Sequence, residues 1–590
     1  MATAAESSYR VRVVDESHVG PPRGSVSPTT IPLTFLDMVW ISIGPMQRIF
    51  FYEFPDISTP HFTQNIYPNL KHSLSLTLRH FFPFAANLTC PPPPNHPYIS
   101  YKEGDSVLVS VAESDYDFDH LTANQARDNN AFHQSLVPKL PTPSLLSEET
   151  HAVPTMAVQF TVFPNSGFSI GIAFNHVAAD GRSLNHFVKS WASMSVTHRL
   201  GDLPCHDKDL VEDPDGIASI YLNDWRNFLK NCSAPSSADS GNGVTPPAVV
   251  PQEKVRLTLV LGRAEIEKLK QLVVAATQTQ SEPAAARIST YVVTCAFIWV
   301  LWMKIQESKE GTTGGHLDDD TLSHFIAPAD CRGRLGLPFP PTYFGNCLAQ
   351  ISGSAKRSEL MGSNGIVVAA KAIGRAICKL KKCPLTGAEN SLSHFIEKLK
   401  TPSLLVTVAG SPKFRVYDTD FGWGKPKKSE VGHIGHGSFS LNECRDEEGG
   451  VEIGLVIGRQ QLDFFNAIIE HARAEYSMIV KFYWSPLLRE KQQDPMEKEV
   501  TESLQQTRMD PEKDKGQGVV VDHLMHRATE PKGSKASYSA AERPVVNITS
   551  HEEEAKRAEK KSEEGKKWES KLQGDDLKEK MIFENKKRVE

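Results

Sequence analysis

The sequence predicts an α/β protein in which strands and helices are layered twice over. Three observations carry this. Phe168, Ile170, Ile172 and Phe174 alternate with Ser169, Gly171 and Ala173, the period of two that a strand needs, and Leu184, Phe187, Val188 and Trp191 then recur at helical spacing. The same order returns far along the chain, where Val451, Ile453, Leu455 and Ile457 alternate and Leu462, Phe465 and Ile469 follow on one helical face. Between these zones the periodicity lapses, so the layers are expected in two separate halves.

Taken in order, the opening residues MATAAESSYRVRVV hold no apolar core of the kind a secretory signal needs. Residues 1–205 alternate short strands with helical stretches and are expected to form a first domain. Residues 206–254 collect Pro, Ser, Asp and Gly (CSAPSSADSGNGVTPP) and read as a long surface crossover. Periodicity resumes at KVRLTLVLG and defines a second domain over residues 255–485. Within it Tyr291–Met303, YVVTCAFIWVLWM, is too short an apolar run to span a bilayer and reads as a buried helix. Residues 486–590 form a tail in which 24 of the last 40 residues are charged. Such a segment buries too little apolar surface to offset chain entropy, so disorder is expected there.

At 590 residues and 39% hydrophobic content the chain is long enough for a large core and too long for one ordinary domain. A net charge of −6 carries no basic excess, so no nucleic-acid partner is expected. The nine cysteines include no CxxC pair, which suits reduced thiols in the cytoplasm rather than a disulfide frame or a zinc site.

Chemistry is most concentrated in FNHVAADGR, residues 174–182. His176 falls on the parity of the apolar strand face and points inward if the strand extends that far. It is either a hydrogen-bonded core histidine or a general base, since its unperturbed pKa near 6.5 suits proton transfer at neutral pH. Asp180 either orients that ring, as in a triad, or holds the strand-to-helix corner through another partner. A metal site needs a third ligand, and no second compact His/Asp/Glu group supplies one. No GxSxG elbow offers a serine nucleophile. Two further stretches read locally as turns. Asp420, Gly422, Trp423 and Gly424 in DFGWGKP form one. Tyr343 to Cys347, YFGNC, form the other, where Gly345 and Asn346 allow the backbone to approach a ligand.

Together these motifs resemble the plant BAHD acyltransferase family. His176 to Asp180 match its HxxxD motif, and Gly181 the glycine that follows. Asp420 to Gly424 match its DFGWG motif letter for letter. LTFLDMVW (33–40), FFPFAANL (81–88), STYVVTCAFIW (289–299) and DCRGRL (330–335) also suit the family. YFGNC, with GSPKF (410–414) and KPKKSE (425–430), is similar to the branch that acylates sugars of phenolic and flavonoid glucosides, often with malonyl. The resemblance covers residues 8–480. One departure is RQQLDFF (459–465), which differs from the family's usual run there.

The resemblance implies two chloramphenicol-acetyltransferase-like domains, each a mixed sheet with flanking helices, with a channel between them. It implies an acyl-CoA-dependent O-acyltransferase with no bound cofactor and no metal. The co-substrate is acyl-CoA, expected to be malonyl-CoA. The other partner is a small-molecule acceptor, and nucleic acid and membrane are not expected. A cytoplasmic monomer is expected. His176 becomes the general base and Asp180 part of the catalytic corner, paired with Arg332. Asp420, Gly422, Trp423 and Gly424 support a loop. Arg182, Tyr343, Asn346, Ser411 and Lys413 become candidate substrate contacts, with Arg182 and Lys413 as cations for a malonyl carboxylate. Two alternatives stay open: a hydroxycinnamoyl transferase of the same family, and a member that binds ligands without turnover.

Overall fold

The computed structural model describes residues 11–129, 135–147, 149–233, 253–278, 288–313, 318, 320–333, 339–382, 385–435 and 437–473. The expectations for most of 234–254 and for the tail after residue 473 lie outside the described residues.

A six-stranded mixed sheet organises the first half. Its order is Val11–Val19, Val107–Ser114, Met156–Phe163, Gly167–Phe174, Met46–Glu53 and Lys428–Val431. Both faces of Gly167–Phe174 are buried along its whole length, so its small residues matter as much as its large ones. A Cβ on Gly171 would lie 2.3 Å from the Leu136 carbonyl oxygen, too close for any side chain. Leu184, Phe187, Val188 and Trp191 of helix Gly181–Thr197 join the same core. A five-stranded antiparallel sheet covers this half, in the order Thr29–Pro32, Tyr98–Tyr101, Asn87–Cys90, Thr150–Pro154 and Ser144–Ser147.

The second half is built on a seven-stranded sheet. Its order is Leu348–Lys356, Leu322–Asp330, Leu405–Gly410, Ser438–Glu443, Val451–Gly458, Lys254–Leu261 and Arg127–Asp128. Helix Thr290–Thr313 packs against it and contains the expected apolar run, with Trp299 and Trp302 almost fully buried. The result is the α/β fold of two mixed-sheet domains that the sequence leads one to expect.

Two features differ from the sequence reading. Residues Ile217–Ser233 form a 17-residue helix inside the stretch expected to be irregular. Ile217, Tyr221 and Trp225 repeat every four residues and bury against the first core, a helical stripe masked by flanking Pro, Gly and Asp. The strand before His176 ends at Phe174, two residues earlier than its parity suggested. There the Asn175 side chain accepts the Val177 N–H at 3.2 Å, a local turn that competes with the strand ladder.

The halves exchange strands. Lys428–Val431 pairs antiparallel with Met46–Glu53, and Arg127–Asp128 pairs with Lys254–Leu261. Charge follows the exchange inward. Arg127 meets Glu430 at 2.6 Å with both side chains buried, and Arg256 donates to the carbonyls of Val431 and Gly432 at 2.7 and 2.6 Å. Burial alone would raise the Glu430 carboxyl, but Arg127 and Arg256 hold it at about 2.

Candidate active site

The corner expected around His176 is a tight turn between strand and helix. Asp180 caps the helix Gly181–Thr197, accepting the Ser183 N–H at 2.9 Å. Its other oxygen accepts from Arg332 Nη1 at 2.8 Å and from the Cys347 N–H at 3.1 Å. The Asp180 and Arg332 side chains are 0% and 1% exposed. Burial would raise the Asp180 carboxyl, yet the Arg332 charge wins and holds it below its ordinary value. Arg332 spreads its fork further, to the carbonyls of Tyr343 and Gly345 and to Ser183 Oγ. None of the hydrogen bonds of Asp180 reaches the His176 ring. The corner and the YFGNC turn, more than 150 residues apart, are therefore one polar unit.

His176 is 8% exposed. Its ring stacks on Trp40 with centroids 3.8 Å apart and 13° between planes, and tilts against Phe174. Nδ1 is buried without a partner at hydrogen-bonding geometry, which leaves Nε2 on the edge that stays accessible. Burial drives the imidazole down to about 4, against opposing pulls from Asp180, its own carbonyl, Asn346 and Asp37. The ring is thus neutral at pH 7 and able to accept a proton at Nε2.

Asn346 ties this ring to the rest of the site. Its Nδ2 donates to the His176 carbonyl at 2.8 Å and to Asp37 Oδ1 at 2.9 Å. Asp37 is fully buried and also accepts from Thr34 N–H, Thr34 Oγ1 and Lys208 Nζ at 3.0, 2.8 and 3.1 Å. Asp37, Lys208 and Trp40 were not singled out in the sequence. Thr34-x-x-Asp37 is a capping-box pattern that marks Asp37, whereas nothing near Lys208 announces its partner.

The remaining expected residues fall into three groups. Tyr343 lies in the Arg332 unit, with the Arg332 guanidinium carbon 5.6 Å from its ring centroid. Asp420 Oδ1 accepts the N–H groups of Gly422 and Gly424 at 2.7 and 2.9 Å, both glycines having positive φ. This loop docks through Trp423 on Phe168, centroids 5.1 Å apart, and through Phe421 on Trp191 at 5.0 Å. It braces the back of the strand and helix that frame His176. Ser411 caps a short turn by accepting the Lys413 N–H, and the next residue, Phe414, covers Gly181, where a Cβ would meet its ring at 2.9 Å. Arg182 is bonded to Asp330 at 2.6 Å, and Lys413 is exposed. Neither cation contacts the His176 ring. Among the described residues no group of three or more His, Cys, Asp or Glu side chains is arranged to hold a metal ion. No described helix is long and apolar enough to cross a membrane.

Comparison with known proteins gives a consistent picture. The family model described as the Transferase family matches residues 10–472. A coumaroyl-CoA:anthocyanidin 3-O-glucoside-6''-O-coumaroyltransferase of Arabidopsis thaliana is 36% identical, over 79% of this chain and 98% of its own. Phenolic glucoside malonyltransferase 1 of Nicotiana tabacum is also 36% identical, over 71% and 88%. Among solved structures, vinorine synthase superposes with a TM-score of 0.52 at 20% identity, over 77% of this chain and 96% of that one, which establishes the fold.

Proposed function

The chain belongs to the BAHD acyltransferase family and is an acyl-transferring enzyme; on that premise we propose that it moves a malonyl group from malonyl-CoA to a sugar hydroxyl of a phenolic or flavonoid glucoside. The observation that carries the chemistry is the buried, neutral His176 with Nε2 on its accessible edge. Nε2 takes the proton of the acceptor hydroxyl as its oxygen attacks the thioester carbonyl carbon. The tetrahedral intermediate collapses, the C–S bond breaks, and the leaving sulfur takes the proton back from His176, so that CoA departs as the thiol and the imidazole is neutral again. Because burial makes the imidazole a weak base, proton transfer must accompany C–O bond formation rather than precede it. Direct transfer needs no enzyme nucleophile. Asp180 and Arg332 work as architecture: they fix the turn that presents His176. Positioning of the two substrates then supplies the rest of the rate.

The malonyl reading rests on YFGNC and on relatives named as glucoside malonyltransferases. Two relatives of equal or slightly higher identity are named as coumaroyltransferases, so an aromatic acyl donor is the rival reading. Competition between malonyl-CoA and coumaroyl-CoA, with a flavonoid glucoside as acceptor, decides between them. The proposal expects malonylated product to predominate. Preference for coumaroyl-CoA overturns the malonyl reading and leaves acyl transfer standing.

A further inference from the structure

A second histidine reaches the same end of the six-stranded sheet as His176. Gly167–Phe174 and Lys428–Val431 flank Met46–Glu53 on opposite sides, both antiparallel to it. Both therefore exit at its Met46–Gln47 end. Phe174 pairs with Met46, and the Gly432 N–H continues the other ladder by donating to the Gln47 carbonyl at 2.8 Å. Two residues past Phe174 comes His176, and two residues past Val431 comes His433. Within the sheet the two flanking strands are two strand spacings apart, about 9.5 Å, with only Met46–Glu53 between them.

The His433 ring is fixed in one tautomer. Its Nδ1 accepts the Gln47 N–H at 3.0 Å, so the neutral ring carries its proton on Nε2. Val431 and Ile434 are buried on either side, at 4% and 3% exposure, and hold the segment in place. The residue itself keeps part of its surface accessible, and Nε2 is not a buried, unpartnered atom. Burial, with the His176 charge second, pushes the imidazole down to about 3. His433 thus lies within Coulombic reach of His176, stays neutral, and offers an N–H donor to accessible space.

We propose that His433 Nε2–H is a catalytic hydrogen-bond donor to the thioester carbonyl oxygen and to the oxyanion it becomes on attack. This rests on the acyl-transfer reading above. As the acceptor oxygen bonds to the carbonyl carbon, the π electrons move to the carbonyl oxygen and the hydroxyl proton moves to His176. His433 keeps its proton throughout and stabilises the negative charge. When the C–S bond breaks, the carbonyl re-forms and that hydrogen bond relaxes. Neutrality is what the task needs. An imidazolium at His433 would oppose protonation of His176 by charge repulsion, whereas a neutral donor spares the base and still meets the oxyanion.

The test is single-turnover acyl transfer with His433→Asn and His433→Gln. Asn keeps an oxygen near the place of Nδ1 for the Gln47 N–H and loses the donor. Gln restores an amide N–H near the place of Nε2. The proposal expects His433→Asn to slow the chemical step about 10²- to 10³-fold, with KM for both substrates and the melting temperature close to wild type. His433→Gln should recover a substantial part of that loss. An unchanged chemical step in His433→Asn overturns the proposal, as does a loss confined to KM, or a Gln variant no better than Asn. If wild-type protein releases no CoA from any acyl-CoA, the acyl-transfer reading falls and this one with it. If wild type is active and His176→Ala inactive, the His433 outcome bears on this proposal alone.

Discussion

Burial decides the protonation of His176. Its imidazole is held at about 4 rather than near 6.5 because the charged form is poorly solvated, and the nearby Asp180 and Asp37 carboxylates only partly offset that. The base works when neutral. The acid limb of kcat/KM is therefore expected near pH 4, with activity flat from neutral pH down to about 5. A limb near 6.5 would mean that the titrating base is a solvated histidine and not this one. The same shift predicts a stability trend. A histidine whose folded pKa lies below its unfolded one binds fewer protons in the native state, so its contribution is fully present above 6.5 and is lost as pH falls toward 4. His433, held at about 3, acts in the same direction. The melting temperature should drop steadily between pH 7 and 4.5, and a flat profile there would contradict the buried neutral rings.

The corner element joins Asp180, the helix it caps, Arg332 and the YFGNC turn. A buried charge without its partner is expensive, so Asp180→Ala and Arg332→Ala should each cost about 3 to 5 kcal/mol. The double variant should cost clearly less than the sum, because neither charge is then stranded. Additive losses, read from denaturant unfolding, would show that the pair is not energetically coupled. This element also marks how far sequence reading reaches. HxxxD and DFGWG are legible because each is a short turn whose glycines and aspartate bond within a few residues, as Asp420 does to Gly422 and Gly424. Asp37 and Lys208 are not legible as partners because they lie 171 residues apart, and Asp37 and Asn346 lie 309 apart. Only the fold joins them. Helix Ile217–Ser233 was hidden for another reason: its apolar stripe is surrounded by turn-forming residues, which composition weighs more heavily than spacing. Arg182 was read as a cation for substrate, yet its nearest charge is Asp330, a pairing that no local pattern announces.

For the molecule as a whole, the exchanged strands join the two halves through buried charge. Glu430, on the strand lent to the first sheet, faces Arg127 and Arg256 of the second. Glu430→Ala strands two buried guanidinium groups and should lower stability by about 3 to 5 kcal/mol. The described halves should still unfold in one transition, since each sheet holds a strand of the other; two separate calorimetric transitions would contradict that. The alternation of strands and helices, and the two cores, were readable from periodicity. The exchange was not, because Lys428–Val431 and Arg127–Asp128 are too short to show a period. What this assembly presents at the Met46 end of the first sheet is one neutral imidazole poised to take a proton. The most direct measurement is the initial rate of CoA release from malonyl-CoA with a flavonoid glucoside, for wild type and for His176→Ala of matched melting temperature. Wild type should release CoA in step with acylated glucoside, and the variant should be slower by at least about 10²- to 10⁴-fold. Equal rates, with CoA and product still matched, would contradict His176 as the base.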